Sequence, residues 1–408
     1  MPRRWVPVIF VFAFFTAGLS LHSSFAQMPS APTELFSTPP EQSEQFTPEV
    51  PPQDESDAVS KLTALRERIH SDPQSADNRL KLAESLYRIG DLDTAIEECR
   101  AALALQPGHA QAHLQLGMAL MAKQDWRASL TALKEAARLN PELVQAHYNL
   151  GTAYYTTGNL KAAIQSYQQA LALYPAFPDA RYRLALVLKL ARRDQESARL
   201  MEEAAAAGIP QAQFFLGNAY RTGQGVPKNG TLAVYWWAHA AEFGHQQAAT
   251  SLSLLRRQAL SAIQTEQSRL EAWTAFQGYR EKLWDHFPEF NPRDGDTLGT
   301  MLLKQDRAGQ AVSVLLQESY ALSDLALNEL ARLYESGWEQ QLPPFDKQIL
   351  TCFETTAGEG FGPAKKILAR IYAKGLGMKP DRLKAHSILR GLPKNEIKAI
   401  LSELSLES

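Results

Sequence analysis

The chain has 408 residues, an apolar fraction of 45% and a formal net charge of −2. That length holds two or three domains or one long solenoid. A chain so close to neutral has no global field to draw in nucleic acid or an anionic membrane, and its two cysteines exclude a disulfide-stapled fold.

The first segment reads as an export signal. Arg3 and Arg4 precede an apolar run from Trp5 to about Leu21. Ser24-Phe25-Ala26 then sets small residues three and one positions before Gln27. This is the layout of a secretory signal peptide over 1–26, cleaved after Ala26, and it implies a periplasmic or secreted protein. A retained anchor is the rival reading, since about 18 apolar residues span a bilayer. Only through such an anchor would the chain meet a membrane. No cysteine follows the run, so a lipid-modified cysteine is excluded. Residues 27–57 are rich in Pro, Gln, Ser and Glu and carry acids from Glu34 to Asp57 with no base. They bury too little apolar surface to offset their lost entropy and read as an extended, disordered spacer.

An amphipathic stretch from Asp57 to His70 reads as a capping helix. A strict period follows. Pro107, Pro141 and Pro175 lie 34 residues apart, as do Leu82, Leu116 and Leu150, and Ala102, Ala136 and Ala170. Small residues keep the same step at Ala83, Gly117 and Gly151, and at Ala95, Ser129 and Ala163. Such a period marks stacked helical hairpins. Small residues let the two helices approach, and Leu86, Leu120 and Tyr154 fill the space between them. Gly90 and Gly158 suit the left-handed end of a first helix, and each proline stops a second helix. A worn fourth unit from Pro178 keeps the register at Leu184, Ala185, Leu188 and Ala204 but has no turn glycine. These segments resemble tetratricopeptide repeats, with Arg79, His113 and His147 where that family usually has its first aromatic. The resemblance implies an all-α fold, a right-handed α-solenoid of helix-turn-helix repeats, with this array over 58–208.

Over 209–249 the pattern changes. Leu216-Gly217, Tyr220, Gly223, Gly225-Val226, Ala233, Trp237, Ala240-Ala241 and Gly244 resemble a Sel-one-like repeat, a relative with a longer inter-helix loop. Two further units are expected over 325–396. One carries Ala326, Leu330, Tyr334, Gly337, Thr356-Ala357 and Gly360. The other carries Ala364, Leu368, Tyr372, Gly375, Gly377, Asp381 and Ala385. The connector 250–324 has apolar residues at helical spacing (Leu254, Leu260, Ile263, Leu270). It also holds Trp273, Phe276, Tyr279, Trp284, Phe287 and Phe290, which either pack a core or form a docking surface. Asn291–Gly295 reads as a turn, Leu298–Gln317 as another worn helical hairpin, and 397–408 as a tail.

Chemistry is sparse. The chain has no Walker-type loop, His-Glu-x-x-His, Cys-x-x-Cys or Gly-x-Ser-x-Gly. It is expected to be non-catalytic, with no cofactor and no metal. The Gly-x-Gly pairs at Gly223–Gly225 and Gly375–Gly377 lie between helices and read as sharp turns rather than phosphate loops. His109 and His113 are four apart, but no third ligand stands nearby. Cys99 reads as a buried thiol, and a bond to Cys352 is disfavoured by distance along the array. Asn229-Gly230-Thr231 is a glycosylation sequon that counts only in a eukaryotic host.

The resemblance implies a partner groove lined by first helices. Its positions here are Lys81, Glu84, Tyr87 and Arg88; Gln115, Met118 and Met121; Tyr148, Asn149, Thr152 and Tyr155; and Tyr182 and Arg183. Tyrosine and methionine suit a peptide or protein segment, and an asparagine can both donate to and accept from its backbone. Leu80, Glu84 and Gln115 stand where the family's clamp for chaperone tails has Lys and Asn, so that specificity is not expected. The expected function is an exported scaffold or adaptor for envelope proteins. The alternatives are a glycan- or peptidoglycan-associated structural protein, or part of a polysaccharide export machine.

Overall fold

A computed structural model describes residues 55–290, 296–336 and 343–404. The signal, almost all of the spacer and the Asn291–Gly295 turn lie outside them. Among the described residues are 20 helices and no strand. None is long and apolar enough to cross a membrane. The residues fall into two compact units, one ending at Thr250 and the other starting at Ser251.

The first unit opens with α1 (Glu55–Ser71), which starts two residues before the Asp57 expected from sequence. Its Leu62 and Leu65 pack on Leu82, Leu86 and Ala95 and so cap the first hairpin. Five hairpins follow. They are α2 (Ala76–Arg88) with α3 (Leu92–Leu105), α4 (Ala110–Ala122) with α5 (Trp126–Leu139), and α6 (Val144–Thr156) with α7 (Leu160–Leu173). Then come α8 (Pro178–Leu190) with α9 (Asp194–Ala206), and α10 (Pro210–Thr222) with α11 (Gly230–Glu242). Each second helix packs on the next first helix, and α2, α4, α6 and α8 touch in succession. The first helices therefore share one face, which is the solenoid arrangement.

Small residues set the hairpin spacing. A Cβ added at Gly151 would lie 2.7 Å from the ring of Tyr167, and one at Gly117 would lie 2.6 Å from Leu133. Ser129 and Ser197 hold the matching place in α5 and α9. Their buried hydroxyls donate to the carbonyls of Gly117 and Ala185 at 2.8 and 2.7 Å. The inter-helix turn also repeats. Gly90 and Gly158 have positive φ as expected, and Gln124 and Arg192 adopt the same left-handed backbone at φ 63° and 62°. The worn fourth repeat thus keeps its turn without glycine.

Arg79, His113 and His147 also find an account. His113 and His147 donate through Nε2 to the carbonyls of Pro107 and Pro141 at 2.9 and 2.8 Å. Arg181, one step further, donates to the carbonyl of Pro175. Arg79 pairs with Glu98 at 3.0 Å. His109 accepts from the Ala112 amide and caps α4, and its other nitrogen meets Asp77 at 3.1 Å. Both histidines are used in structure. In the Sel-one-like loop after α10, Gly223 and Gly225 have φ 78° and 77°. A Cβ at Gly225 would come 2.3 Å from the Asp194 carbonyl oxygen. The loop is seated on α9, as a structural turn requires. Asn229 of the sequon caps α11 by accepting from the Leu232 amide at 3.1 Å.

Helix α12 (Gln246–Leu260) carries the chain into the second unit. There follow α13 (Glu266–Trp284), α14 (Leu298–Leu303), α15 (Ala308–Tyr320), α16 (Asp324–Glu335), α17 (Pro343–Gly358), α18 (Gly362–Lys374), α19 (Arg382–Ile388) and α20 (Lys394–Glu403). The hairpin read from Leu298 is α14 with α15. The connector corrects one expectation. Leu254, Ile263 and Leu270 are 60%, 96% and 62% exposed. Their spacing does not lie on one helix: α12 ends at Leu260, and Thr265 caps a new helix by accepting from the Ser268 amide at 3.3 Å. The aromatics instead pack inward at Phe276, Tyr279 and Phe290, and Arg307 lies over Phe287 and Phe290. Cys99 and Cys352 are both buried and free. Residues 394–403, most of them within the expected tail from 397, form α20, which buries none of its side chains.

Two polar groups are enclosed here. Arg256 donates to both carboxylate oxygens of Glu359, at 2.5 and 2.9 Å. Glu318 accepts from the amides of Leu298 and Gly299 at 3.0 and 3.3 Å and so holds the start of α14. Burial outweighs these bonds and pushes its carboxyl from 4.5 up to about 7.

Three outcomes are expected. Gly151→Ala gains about 1 kcal/mol in helix propensity but overpacks Tyr167 at a cost of about 1–3 kcal/mol, for a net loss in thermal unfolding. Gly309→Ala, which meets nothing within 4 Å, should raise stability by up to about 1 kcal/mol. For Glu318, the folded form keeps a proton that the unfolded form loses. Its contribution is full below the unfolded value and is lost as pH rises through the folded one. Glu318→Gln should flatten that slope in urea midpoints compared at about pH 5 and about pH 8.

Candidate functional site

The first-helix face is richest where the third and fourth hairpins meet. Tyr148 stands one turn into α6, and Tyr155 two turns further along. Tyr182 and Arg183 stand at the matching turn of α8. Leu150 packs with Leu133 and Ala136 of α5, and Leu184 with Ala163 and Tyr167 of α7. Tyr148 and Tyr155 lie half-buried against Tyr167 and Leu184, and Tyr182 against the cluster of Ala185 and Leu216.

Arg183 is the hub. It lies beside the Tyr148 hydroxyl and in the field of Tyr167 and Tyr182. Burial opposes its charge, but the phenol oxygens hold its pKa above the ordinary arginine value. Tyr155 also lies within its field. Burial pushes the Tyr148 and Tyr155 hydroxyls up, and Tyr182 to about 12. All stay protonated near neutrality. Among the described residues no carboxylate pairs with Arg183. Its neighbours differ: Arg181 pairs with Glu203 at 3.1 Å, Lys189 with Asp194 at 3.5 Å and Arg193 with Glu196 at 2.5 Å.

Thr152 anchors the wall of the cluster. Its hydroxyl lies 3.0 Å from that of Tyr167, a fully buried residue of α7. Tyr148 meets the Tyr167 ring edge-on at 5.7 Å and the Phe177 ring at 5.0 Å. Tyr182 continues to Phe215 of α10 at 6.2 Å. Tyr167, Phe177 and Phe215 are absent from the sequence-derived set. Phe215 was readable: Asn149, Arg183 and Phe215 each precede the leucine of a Leu-Gly or Leu-Ala pair. A fixed step of 34 misses it because the repeat shortens there. Tyr167 and Phe177 carry no such signal, since one is on a second helix and the other in a turn.

The remaining expected residues are placed differently. Lys81 and Arg88 are exposed. Glu84 is half-buried, close enough to Cys99 to help burial raise that thiol to about 12. Tyr87 packs between the clusters around Leu86 and Leu120. Met118 and Met121 pack on the core formed by Leu114, Leu133 and Leu150. Gln115 is buried. Asn149 is buried too, and its amide donates to the Gln145 carbonyl at 2.9 Å. One of its two amide hydrogens is therefore used within its own helix.

Comparison with known families agrees with this architecture. Residues 114–178 and 158–212 match one tetratricopeptide repeat family, and 76–118 match another. Residues 210–245 and 364–390 match the Sel1 repeat. The chain carries both kinds of repeat. Among solved structures it is similar to YrrB, described as a TPR protein with an unusual peptide-binding site. The identity is 20%, over 47% of this chain and 98% of that one, with a TM-score of 0.39. A MamA fragment from Desulfovibrio magneticus shares 21%, over 37% of this chain and 85% of that one, TM-score 0.35. A thermophilic TPR protein of Thermus thermophilus shares 24%, over 40% of this chain and 91% of that one, TM-score 0.34. A comparison with curated proteins found no match.

Thr152→Val should strand the Tyr167 hydroxyl and cost about 1–3 kcal/mol. Adding Tyr167→Phe should recover part of that loss, because removing both partners costs less than removing one. Chemical denaturation of the three variants reads this directly.

Proposed function

We propose that the chain is an exported, non-catalytic scaffold that binds protein or peptide segments of the cell envelope along the first helices of its repeats. The observation that carries this reading is the cluster of Tyr148, Tyr155 and Tyr182 about Arg183. These side chains are half-buried, Tyr148 and Tyr155 against the core around Tyr167, and Tyr182 against the core around Ala185. Tyrosine in such a setting offers a large contact area at low entropic cost, with a polar tip for orientation. Repeats of this kind make interaction surfaces rather than catalytic centres. Export is assigned from the layout of residues 1–26, and the envelope follows from export.

A second reading has its own support. On α11, Tyr235, Trp236 and His239 cluster with ring centroids 4.5–6.4 Å apart, and Phe243 beyond them is 54% exposed. Clustered, edge-on aromatics of this type also suit sugars, which favours a glycan-associated structural role. That role requires sedimentation with purified cell wall.

Crosslinking mass spectrometry in the native host should place partner crosslinks on α6 and α8. Tyr148→Ala with Tyr155→Ala should weaken capture of that partner by about tenfold or more while circular dichroism still shows a folded helical protein. Crosslinks confined to α11 and cell-wall sedimentation unaffected by the double variant would favour the glycan reading instead.

A further inference from the structure

We propose that this chain covers part of its own binding face. Pro39-Pro40, from the segment ahead of α1, dock as a polyproline turn on the rings of Tyr174, Phe177 and Tyr148 until a partner displaces them. This rests on the reading of the same face as a peptide site.

The three rings form a continuous ledge. Tyr174 lies 6.0 Å from Phe177, Phe177 lies 5.0 Å from Tyr148, and Tyr148 rests edge-on against buried Tyr167. The turn itself does not require them. Tyr174 ends α7 and Phe177 precedes α8, and one repeat earlier Asn140 and Leu143 hold the same two places. The backbone at Asn140 (φ −134°, ψ 92°) is matched at Tyr174 (φ −134°, ψ 88°). Asn140 accepts from the Glu142 amide at 3.1 Å, and Leu143 packs on the core around Leu133. Phe177 makes no side-chain cap, and Tyr174 is 51% exposed. The third turn thus exchanges residues with local work for two rings that present a surface.

A ledge of rings suits proline. A proline-rich segment is held extended before it binds, so it loses little entropy on docking in an aromatic groove. Its backbone makes no internal hydrogen bonds, which leaves its carbonyls for tyrosine hydroxyls. The chain supplies such a segment. Residues 27–57 hold seven prolines, and seven acids with no base, in a chain whose net charge is only −2. The remainder is therefore net positive and attracts it.

Reach selects the prolines. The steps from α1 to α2, α4 and α6 cover about 30 Å at about 10 Å per packed pair. Pro40 is 15 residues before Glu55, where α1 begins. That stretch spans about 47 Å as polyproline, enough with slack. Pro48 is seven residues before Glu55 and spans about 22 Å, so it and Pro51 fall short. Leu35 and Phe36, just ahead of Pro39-Pro40, add apolar contact at the same reach.

The test uses the full chain and a labelled synthetic peptide of residues 33–48. In the wild type the chain's own segment competes. Pro39→Ala with Pro40→Ala in the chain should tighten binding of the peptide by about tenfold, as expected for a face about nine-tenths self-occupied. Adding Tyr174→Asn with Phe177→Leu, the residues of the preceding turn, should abolish that binding while circular dichroism is unchanged. A photo-crosslinking residue in place of Phe36 should join the segment to residues 174–182 of the same chain. No peptide binding by the proline variant, binding equal to that of the wild type, binding indifferent to the ring variant, or crosslinks only between two copies would overturn the inference. Failure of the wider reading looks different. If the peptide result fails but capture of the envelope partner still falls with Tyr148→Ala and Tyr155→Ala, the face binds partners and does not cover itself. If both fail, the peptide reading of the face falls as well.

Discussion

In hairpin after hairpin, a bulky side chain of the second helix rests where the first helix has none. Leu133 lies on Gly117, Tyr167 on Gly151, Trp237 on Gly217 and Leu315 on Gly299. The contact recurs in both units and in both kinds of repeat. It sets how closely two helices approach, and ridge-into-groove packing then sets their angle. Helices held this close must turn their remaining large residues outward or along the stack. The first-helix face is the consequence. Beside Tyr148 and Tyr155, Gly151 is committed to α7 and Leu150 to α5.

The same contact makes the candidate site rigid. Tyr167 fills the space over Gly151 and reaches through to Thr152, so one side chain serves both the core and the wall of the cluster. Tyr148 and Phe177 lean on it in turn. A site backed in this way loses little freedom on binding, which favours affinity. In the first two hairpins Tyr87, Met118 and Met121 pack between neighbouring hairpins, as Tyr148 and Tyr155 do in the third. The chemistry gathers toward the fourth hairpin, where the repeat is most worn.

Departures from the family pattern carry information in this protein. His113, His147 and Arg181 occupy an aromatic position and each satisfies the carbonyl of the proline that ends the preceding repeat. Gln124 and Arg192 replace turn glycines and accept a left-handed backbone that costs about 1–2 kcal/mol each. The hairpin contacts on either side are strong enough to impose it.

The sequence by itself determined the period, the hairpins, the turns and the change of repeat near Ile209. Each of these is written within one or two adjacent helices, where spacing and residue size are sufficient. It also marked Tyr148, Tyr155, Tyr182 and Arg183 as sharing a face. Only the tertiary structure decided that Arg183 lies among phenols, that Tyr167 and Phe177 flank Tyr148, and that Asn149 bonds the Gln145 carbonyl of its own helix. It likewise decided that Leu254, Ile263 and Leu270 face outward and that Glu318 is buried. These depend on which side chains from neighbouring hairpins converge on one point. Periodicity says where a residue stands on its own helix, but the enclosure of a charge is a property of several helices at once.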